Sequence, residues 1–220
     1  MIRTMESGDS AEGGNVAATG GPLRDAANVL VLSDSLDDGA RASYYDTLLP
    51  ATPADLRVLA VEYTRGPDGW LDEWRRHVGT PPAETAIVSV NDGTRSAAAG
   101  VDPTVYQGDG TGCAVSVVES ADDLTGLGIT IGSHLKRWEE SADPVLVTVD
   151  SLTVLLQYVD LKRAFRFLHV MVNRVKGAGA VGHYHMDPAA HDEQTVATLA
   201  SVFDAVAQHD DDGEWRITTR

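Results

Sequence analysis

The sequence predicts an α/β fold in which one parallel β-sheet is covered by helices on both faces. Two observations predict it. Short apolar runs such as NVLVLS (28–33) and PVLVTVDSL (144–152) have the length and composition of buried strands. Amphipathic stretches of helical length separate these runs, and strands that alternate with helices form parallel sheets. Hydrophobic residues make up 43% of the 220 residues, enough for the core of one domain.

The chain divides into two parts before any element is assigned. Residues 1–25 are rich in Gly, Ser and Ala and show no periodicity, which predicts a flexible N-terminal leader. Residues 26–220 carry the regular alternation of strands and helices, and are predicted to form a single domain.

Each element of this domain follows from its pattern. Apolar or alternating runs predict strands at 28–33, 56–63, 86–90, 114–118, 144–152, 180–186 and 214–218. Helical periodicity predicts helices at 37–49, 68–78, 123–140, 162–176 and 192–206. Pro50 ends the first helix, Pro188 interrupts a strand, and either Asp192 or His191 begins the last helix. Trp70 and Trp74 lie one turn apart on a helix, which indicates core packing.

Charge sets limits on the function. Acidic residues outnumber basic ones by 33 to 17, a net charge of −16. This balance excludes non-specific nucleic-acid binding, which depends on neutralising phosphates, and indicates a protein adapted to a halophilic cytoplasm, where hydrated carboxylates maintain solubility. Neither a signal peptide nor a membrane span is apparent, so a cytoplasmic location is expected. Cys113 is the only cysteine, so no internal disulfide can form.

The segment VLVTVDSLTVLLQYVD (145–160) resembles the Walker B segment of the RecA/KaiC-like ATPases, in which an apolar strand ends in Asp-Ser and leads into a helix. NVLVL (28–32) corresponds to the P-loop strand of that family, and LRVLAVEY (56–63) to its second strand. With DLTGLGI (123–129) and RFLH (166–169), residues 26–220 are most similar to small haloarchaeal RecA/KaiC-like proteins. The resemblance implies a RecA-like, P-loop NTPase-type sheet, with Asp150 at the magnesium-coordinating position and Glu62 at the catalytic acid.

The first strand is followed by a segment that departs from the family. A P-loop needs glycines, a lysine and a hydroxyl to hold phosphates and magnesium, whereas this chain has SDSLDDGARAS (33–43), without lysine. The corresponding residues are Ser33, Asp34, Asp37, Asp38 and Gly39. Three carboxylates repel a triphosphate, and Asp37 or Asp38 can cap the following helix instead. The sequence therefore predicts a degenerate P-loop that does not hydrolyse ATP.

Asp150 and Glu62, the two acidic residues that match functional positions of the family, each have two possible interpretations. Asp150 is either the remnant of a metal or nucleotide site or a structural carboxylate at a strand end. Glu62 is either a general base or a solvated surface residue, and Tyr63 replaces the second acid of the family's pair.

The stretch HYHMDPAAHDE (183–193) contains a candidate metal site formed by His183, His185 and His191. Alternation along a strand places His183 and His185 on one face, where both could bind a metal ion. The same residues are also explained as a strand, a turn and a helix start, and that interpretation is favoured, so no metal is predicted.

One helix face is unusually basic for so acidic a chain. Spacings of three and four residues place the following residues on one face of the helix at 162–176: Lys162, Arg166, His169, Asn173 and Lys176. This face either pairs with acidic residues of neighbouring elements or binds an acidic protein partner, including a second copy of this chain.

These observations lead to two main hypotheses. The favoured one is a non-catalytic regulatory or scaffold protein without a cofactor, which acts through protein contacts or self-association. The alternative is an atypical nucleotide-binding protein or ATPase with ATP and magnesium as cofactors. It would use Asp150 and Glu62 as acids and an arginine, of which Arg41 is the nearest in sequence.

Overall fold

A computed structural model describes Leu23 and residues 25–34, 37–90, 104–108, 111–210 and 212–220. Most of the predicted leader, residues 1–25, lies outside this part of the chain. For residues 104–108, 111 and 112 only the backbone is described.

Nine strands and six α-helices make up the described fold. The strands are β1 (Asn28–Leu32), β2 (Arg57–Glu62), β3 (Glu84–Val90), β4 (Thr104–Gly108), β5 (Thr111–Val118), β6 (Val145–Asp150), β7 (Val181–Met186), β8 (Ala205–His209) and β9 (Trp215–Thr219). The helices are α1 (Asp38–Thr47), α2 (Pro67–His77), α3 (Leu124–Trp138), α4 (Leu152–Tyr158), α5 (Leu161–Gly177) and α6 (Glu193–Ala200).

All nine strands form one sheet in the order β4-β5-β3-β2-β6-β7-β1-β8-β9. Every pairing from β5 to β8 in this order is parallel, whereas the edge strands β4 and β9 are antiparallel to their neighbours. Helices connect β1 to β2, β2 to β3, β5 to β6, β6 to β7 and β7 to β8. The predicted α/β fold, a parallel sheet flanked by helices, is therefore confirmed, although two hairpins extend the sheet.

Helices cover both faces of the sheet, as expected for a parallel sheet buried on both sides. Leu30 and Leu32 of β1 belong to a core shared with α3, α4, α5 and α6, whereas Val29 and Val31 belong to a second core shared with α1 and α2. The period of two along each strand distributes its side chains between these two cores. The stacked rings of Trp70 and Trp74 are buried in the second core, which confirms their predicted packing role.

Side-chain caps begin most of the helices where the sequence expects them. Asp37, Asp123, Asp160 and Asp192 each accept a hydrogen bond from a backbone amide in the first turn of their helix. The predicted strand at 144–152 is shorter than expected, because Ser151 caps α4 immediately after β6. No helix of the described residues is long and apolar enough to cross a membrane.

The predicted helix at 192–206 is wrong in its second half. Helix α6 ends at Ala200, and Ala205–His209 forms strand β8 between β1 and β9. Ala205 and Ala207 are fully buried against β1, and the Asp204 carboxylate accepts a hydrogen bond from the Asn28 amide at 2.9 Å. Pairing with a central strand outweighs the helical propensity of these residues.

Candidate functional site

Polar side chains of three neighbouring strands meet where those strands end. Glu62 of β2 lies opposite Asp150 of β6, which in turn lies opposite His185 of β7. Their strand neighbours Val61, Val149 and Tyr184 face the core below α3–α6, so strand alternation directs these three side chains towards α1 and α2. The carboxyl end of the sheet therefore carries a row of ionisable groups beneath α1 and α2.

Helix α1 contributes an arginine to this row. Nη1 of Arg41 lies 3.0 Å from Oδ2 of Asp150 and 3.2 Å from Oε1 of Glu73, a residue of α2. Both carboxylates are buried, with 8% of each residue exposed. Arg41 therefore connects Asp150 of β6 to Glu73 of helix α2, on one face of the sheet.

A second arginine completes the cluster. Nε of Arg65 lies 3.3 Å from Oε2 of Glu62, and its two terminal nitrogens contact Glu73 and Asp150. The Tyr45 hydroxyl donates to Oε1 of Glu73 at 2.9 Å. Two guanidinium groups thus contact three carboxyl groups, and we define the ion cluster as these five residues: Arg41, Glu62, Arg65, Glu73 and Asp150.

Burial sets the protonation of the ion cluster. Only 1% of Glu62 is exposed, and this burial, together with the charge of Asp150, raises the pKa of Glu62 to about 8. Burial also opposes ionisation of Asp150, but His185, Arg65 and Arg41 stabilise the carboxylate and lower its pKa overall. A proton on Glu62 at neutral pH brings the charges of the two arginines and the remaining two carboxylates close to balance.

A neutral polar layer adjoins the ion cluster. The Tyr44 hydroxyl lies 3.0 Å from Nδ1 of His183, and the Tyr44 ring meets the His185 ring edge-on at a centroid distance of 4.6 Å. Burial lowers the pKa of His183 to about 3 and that of His185 to about 4, so both imidazoles are uncharged at neutral pH. The layer therefore adds no positive charge that could attract a phosphate.

The three histidines of the candidate metal site are not brought together. His183 and His185 share the face below α1, as alternation predicts, but His191 follows the 3₁₀ turn Pro188–Ala190 and lines a separate cleft of about 290 Å³ beside α4 and α6. Within the described part of the chain, no three His, Cys, Asp or Glu side chains are grouped closely enough to hold a metal ion.

Two acids of the segment in the P-loop position, Asp37 and Asp38, contact groups outside the ion cluster. Asp37 caps α1 by accepting from the Gly39 amide at 2.8 Å. Asp38 lies 3.7 Å from Arg76 and 3.4 Å from His77, and the Ser33 amide donates to the carbonyl of Met186. The cap was predicted from the sequence. The interior position, by contrast, is filled by Arg41, not by the aspartates of the loop.

Sequence reasoning missed two of the five residues of the ion cluster. The interpretation of Glu62 as a solvated surface residue is wrong, because its carboxylate is buried against Arg65. Glu73 and Arg65 were not identified at all. A signal for Glu73 existed, since it lies on the buried face of α2 between Trp70 and Trp74, where a charged residue requires a buried partner.

The predicted basic face of α5 is solvent-exposed along its whole length. All five of its predicted residues are exposed: Lys162, Arg166, His169, Asn173 and Lys176. Lys176 lies 3.7 Å from Asp204, whereas no carboxylate of the described residues pairs with Lys162 or Arg166. The expectation that this face pairs with neighbouring acids therefore holds at one end only.

The sequence model of a family described as a family of unknown function, DUF7504, matches residues 26–209. No curated protein matches the chain significantly in sequence. Among solved structures, a prototypical ATPase from the type III secretion system of pathogenic bacteria is similar over 84% of this chain, with 13% identity and a TM-score of 0.48. The chain spans about half, 51%, of that ATPase.

Two proteins of Pyrococcus horikoshii are also similar in structure. PH0250 shares 15% identity over 87% of this chain and 84% of its own length, with a TM-score of 0.48. The uncharacterized protein PH0321, solved in complex with an unknown peptide, shares 10% identity over 88% of this chain and 83% of its own, with a TM-score of 0.56. At such identities the likeness to PH0321 concerns the fold alone.

Asp150→Asn tests whether the ion cluster stabilises the fold. The substitution leaves Arg41 and Arg65 with uncompensated charge in a buried setting, so we expect the free energy of unfolding to fall by about 3 kcal/mol. Asp143→Asn is the matched control, because Asp143 also contacts an arginine, Arg57, but is exposed; we expect its stability to stay close to that of wild type. Chemical denaturation measures both, and equal effects would contradict a buried cluster.

Glu62→Gln tests the protonation of the cluster through the pH dependence of stability. Because the pKa of Glu62 is raised from 4.5 to about 8 in the folded state, its contribution is fully present below pH 4.5 and lost as pH rises towards 8. The stability difference between wild type and Glu62→Gln should therefore decline with pH by up to about 1.4 kcal/mol per unit.

Thr148→Val provides the control for this measurement, since Thr148 is buried in the same layer and does not titrate. Its unfolding free energy should run parallel to that of wild type between pH 6.5 and 8. A Glu62→Gln profile that also runs parallel would show that Glu62 is ionised throughout this range.

Proposed function

Since this chain belongs to the family of unknown function DUF7504, we propose its role from its own residues: a non-catalytic RecA/KaiC-like protein that regulates or scaffolds other proteins. Its nucleotide site has been replaced by the internal ion cluster. Its action passes through protein contacts in a halophilic cytoplasm, for which its net charge of −16 is suited.

The observation that carries this proposal is the position of Arg41. A cation at the start of α1 would be the natural ligand for a phosphate at the carboxyl end of the sheet. In this chain its guanidinium is held by Asp150 and Glu73 at 3.0 and 3.2 Å. An incoming triphosphate would have to displace both buried carboxylates from Arg41 and leave them with Arg65 as their shared cation, which costs free energy.

Glu62 supports the same proposal. A general base must be ionised and must reach the proton that it removes. The Glu62 carboxyl is buried, contacts Arg65 and has a pKa of about 8. At neutral pH it is mostly protonated, so it is poorly suited to activate water.

The alternative, an atypical nucleotide-binding protein or ATPase, draws support from the same arginines. Arg41 and Arg65 both lie at the carboxyl end of the central strands, beside Asp150 and Glu62. For these groups to act on ATP and magnesium, the arginines would have to exchange their carboxylate partners for phosphate oxygens. The two hypotheses therefore differ in whether a nucleotide can break the contacts of Arg41 and Arg65 with their carboxylate partners.

Thermal unfolding with and without Mg-ATP separates them. A ligand that binds only the folded state raises the melting temperature, so the non-catalytic proposal predicts no shift at millimolar Mg-ATP in molar KCl. A conventional P-loop ATPase in the same buffer serves as the control for nucleotide binding at this salt concentration.

A saturable rise in melting temperature would instead favour the alternative. Phosphate release that disappears in Glu62→Gln would then identify Glu62 as the base, and the non-catalytic proposal would be abandoned.

A further inference from the structure

We propose that the exposed surface formed by α3 and α5 binds an acidic segment of a protein partner that also carries apolar side chains. The proposal rests on the proposed function, because a scaffold needs such a contact surface. We define the α3–α5 surface by Ile129 on α3 and by Lys162, Arg166, Phe167, Val170 and Arg174 on α5.

The charge of α5 is the first argument. Its 17 residues contain five basic side chains and no acidic one, which leaves 12 basic residues against 33 acidic ones in the rest of the chain. The basic residues of α5 are Lys162, Arg163, Arg166, Arg174 and Lys176. Such a concentration in one helix creates a positive field on an otherwise acidic protein, and an acidic ligand is attracted to it.

The chain itself does little to neutralise this field. Arg163 and Arg174 donate to the backbone carbonyls of Asp122 and Gly128 and thereby keep their positive charge without a carboxylate. In the part of the chain that the structure describes, Lys176 is the one basic residue of α5 that lies within 4 Å of an acid, Asp204, at 3.7 Å. Within the described residues, Lys162 and Arg166 have no carboxylate partner, so their charges are available to a ligand.

Exposed apolar side chains border these cations. Ile129 is 63% exposed and Val170 is 59% exposed, the two highest values among the large apolar residues of the described chain. Phe167 and Arg174 both reach Gly128, the neighbour of Ile129, and Val170 lies between them on α5 at spacings of three and four. The apolar and cationic groups therefore share one surface.

The glycines of α3 create this arrangement. Gly128 and Gly132 lie one turn apart, and a Cβ atom at Gly132 would lie 2.6 Å from Nη1 of Arg174. Without side chains at these positions, Phe167 and Arg174 of α5 reach the backbone of α3. The proposed ligand contacts both Ile129 and Val170.

The chemistry of the occupant follows from these contacts. Cations with no internal partner favour carboxylates, while Ile129 and Val170 gain from burial against apolar side chains. A symmetric dimer through α5 would bring the cations of two copies together, so charge disfavours it. The acidic remainder of the chain repels nucleic acid. An acidic segment with interspersed apolar residues satisfies both requirements.

Selection from a displayed library of random peptides tests the proposal on the full chain. We expect the enriched peptides to combine net negative charge with apolar residues, and to bind more weakly as salt rises. The double variant Arg166→Glu with Val170→Asp should weaken their binding by about tenfold or more. The control variant Arg216→Glu on β9 repeats only the arginine-to-glutamate change on another exposed residue and should leave binding unchanged.

Thermal unfolding of each variant must match wild type, so that lost binding reflects the surface and not the fold. Enriched peptides without net negative charge, or equal binding to the double variant, would overturn the proposal. Self-association of the protein alone that the double variant abolishes would overturn it in favour of a second copy. Peptide binding together with a rise in melting temperature on addition of Mg-ATP would refute only the proposed non-catalytic function. If neither peptide binding nor a rise in melting temperature is observed, only the proposed α3–α5 surface is refuted.

Discussion

The contact between Arg41 and Asp150 is the constraint on which the rest of the site depends. It joins the first helix to the end of the central strand β6 at 3.0 Å, and Glu73 and Arg65 extend it to α2 and β2. Buried charges of this kind are tolerated only when each has a partner. These charged side chains are thus committed to one another.

The layer of Tyr44, His183 and His185 beside the ion cluster is consistent with a site whose charges are paired internally. His183 and His185 are uncharged at neutral pH, and Glu62 holds a proton there. The acidic character of the chain lies on its surface, where salt screens it, whereas the ion cluster is shielded from salt by burial. Salt therefore acts mainly on surface contacts, such as those proposed for α3 and α5.

Much of the fold could be predicted from local pattern, because buried strands and amphipathic helices leave periodic signals. The exceptions have physical causes. The residues of Ala205–His209 favour a helix by propensity, but the segment forms a strand that pairs with β1. Strand β4 forms a hairpin with β5, and no local sequence signal predicted this strand. Propensity is a weak guide where a central strand offers a partner.

The site was less predictable than the fold. Asp150 and Glu62 could be identified because they end apolar strands that resemble those of a known family. Arg65 and Glu73 could not be assigned, since their role arises only when α2 packs beside α1 and brings four chain segments together. Pairing between residues that are distant in sequence leaves no periodic trace, and a charge on a buried helix face is the strongest hint available.

A double-mutant cycle between Arg41 and Asp150 measures the central interaction most directly. Arg41→Gln, Asp150→Asn and the double variant are compared with wild type by equilibrium unfolding. If the pair is the buried contact described above, the two substitutions are non-additive, with a coupling energy of about 2 kcal/mol. Additive effects within about 0.5 kcal/mol would mean that Arg41 is free of Asp150 and available to another ligand, which would contradict the account of a closed site.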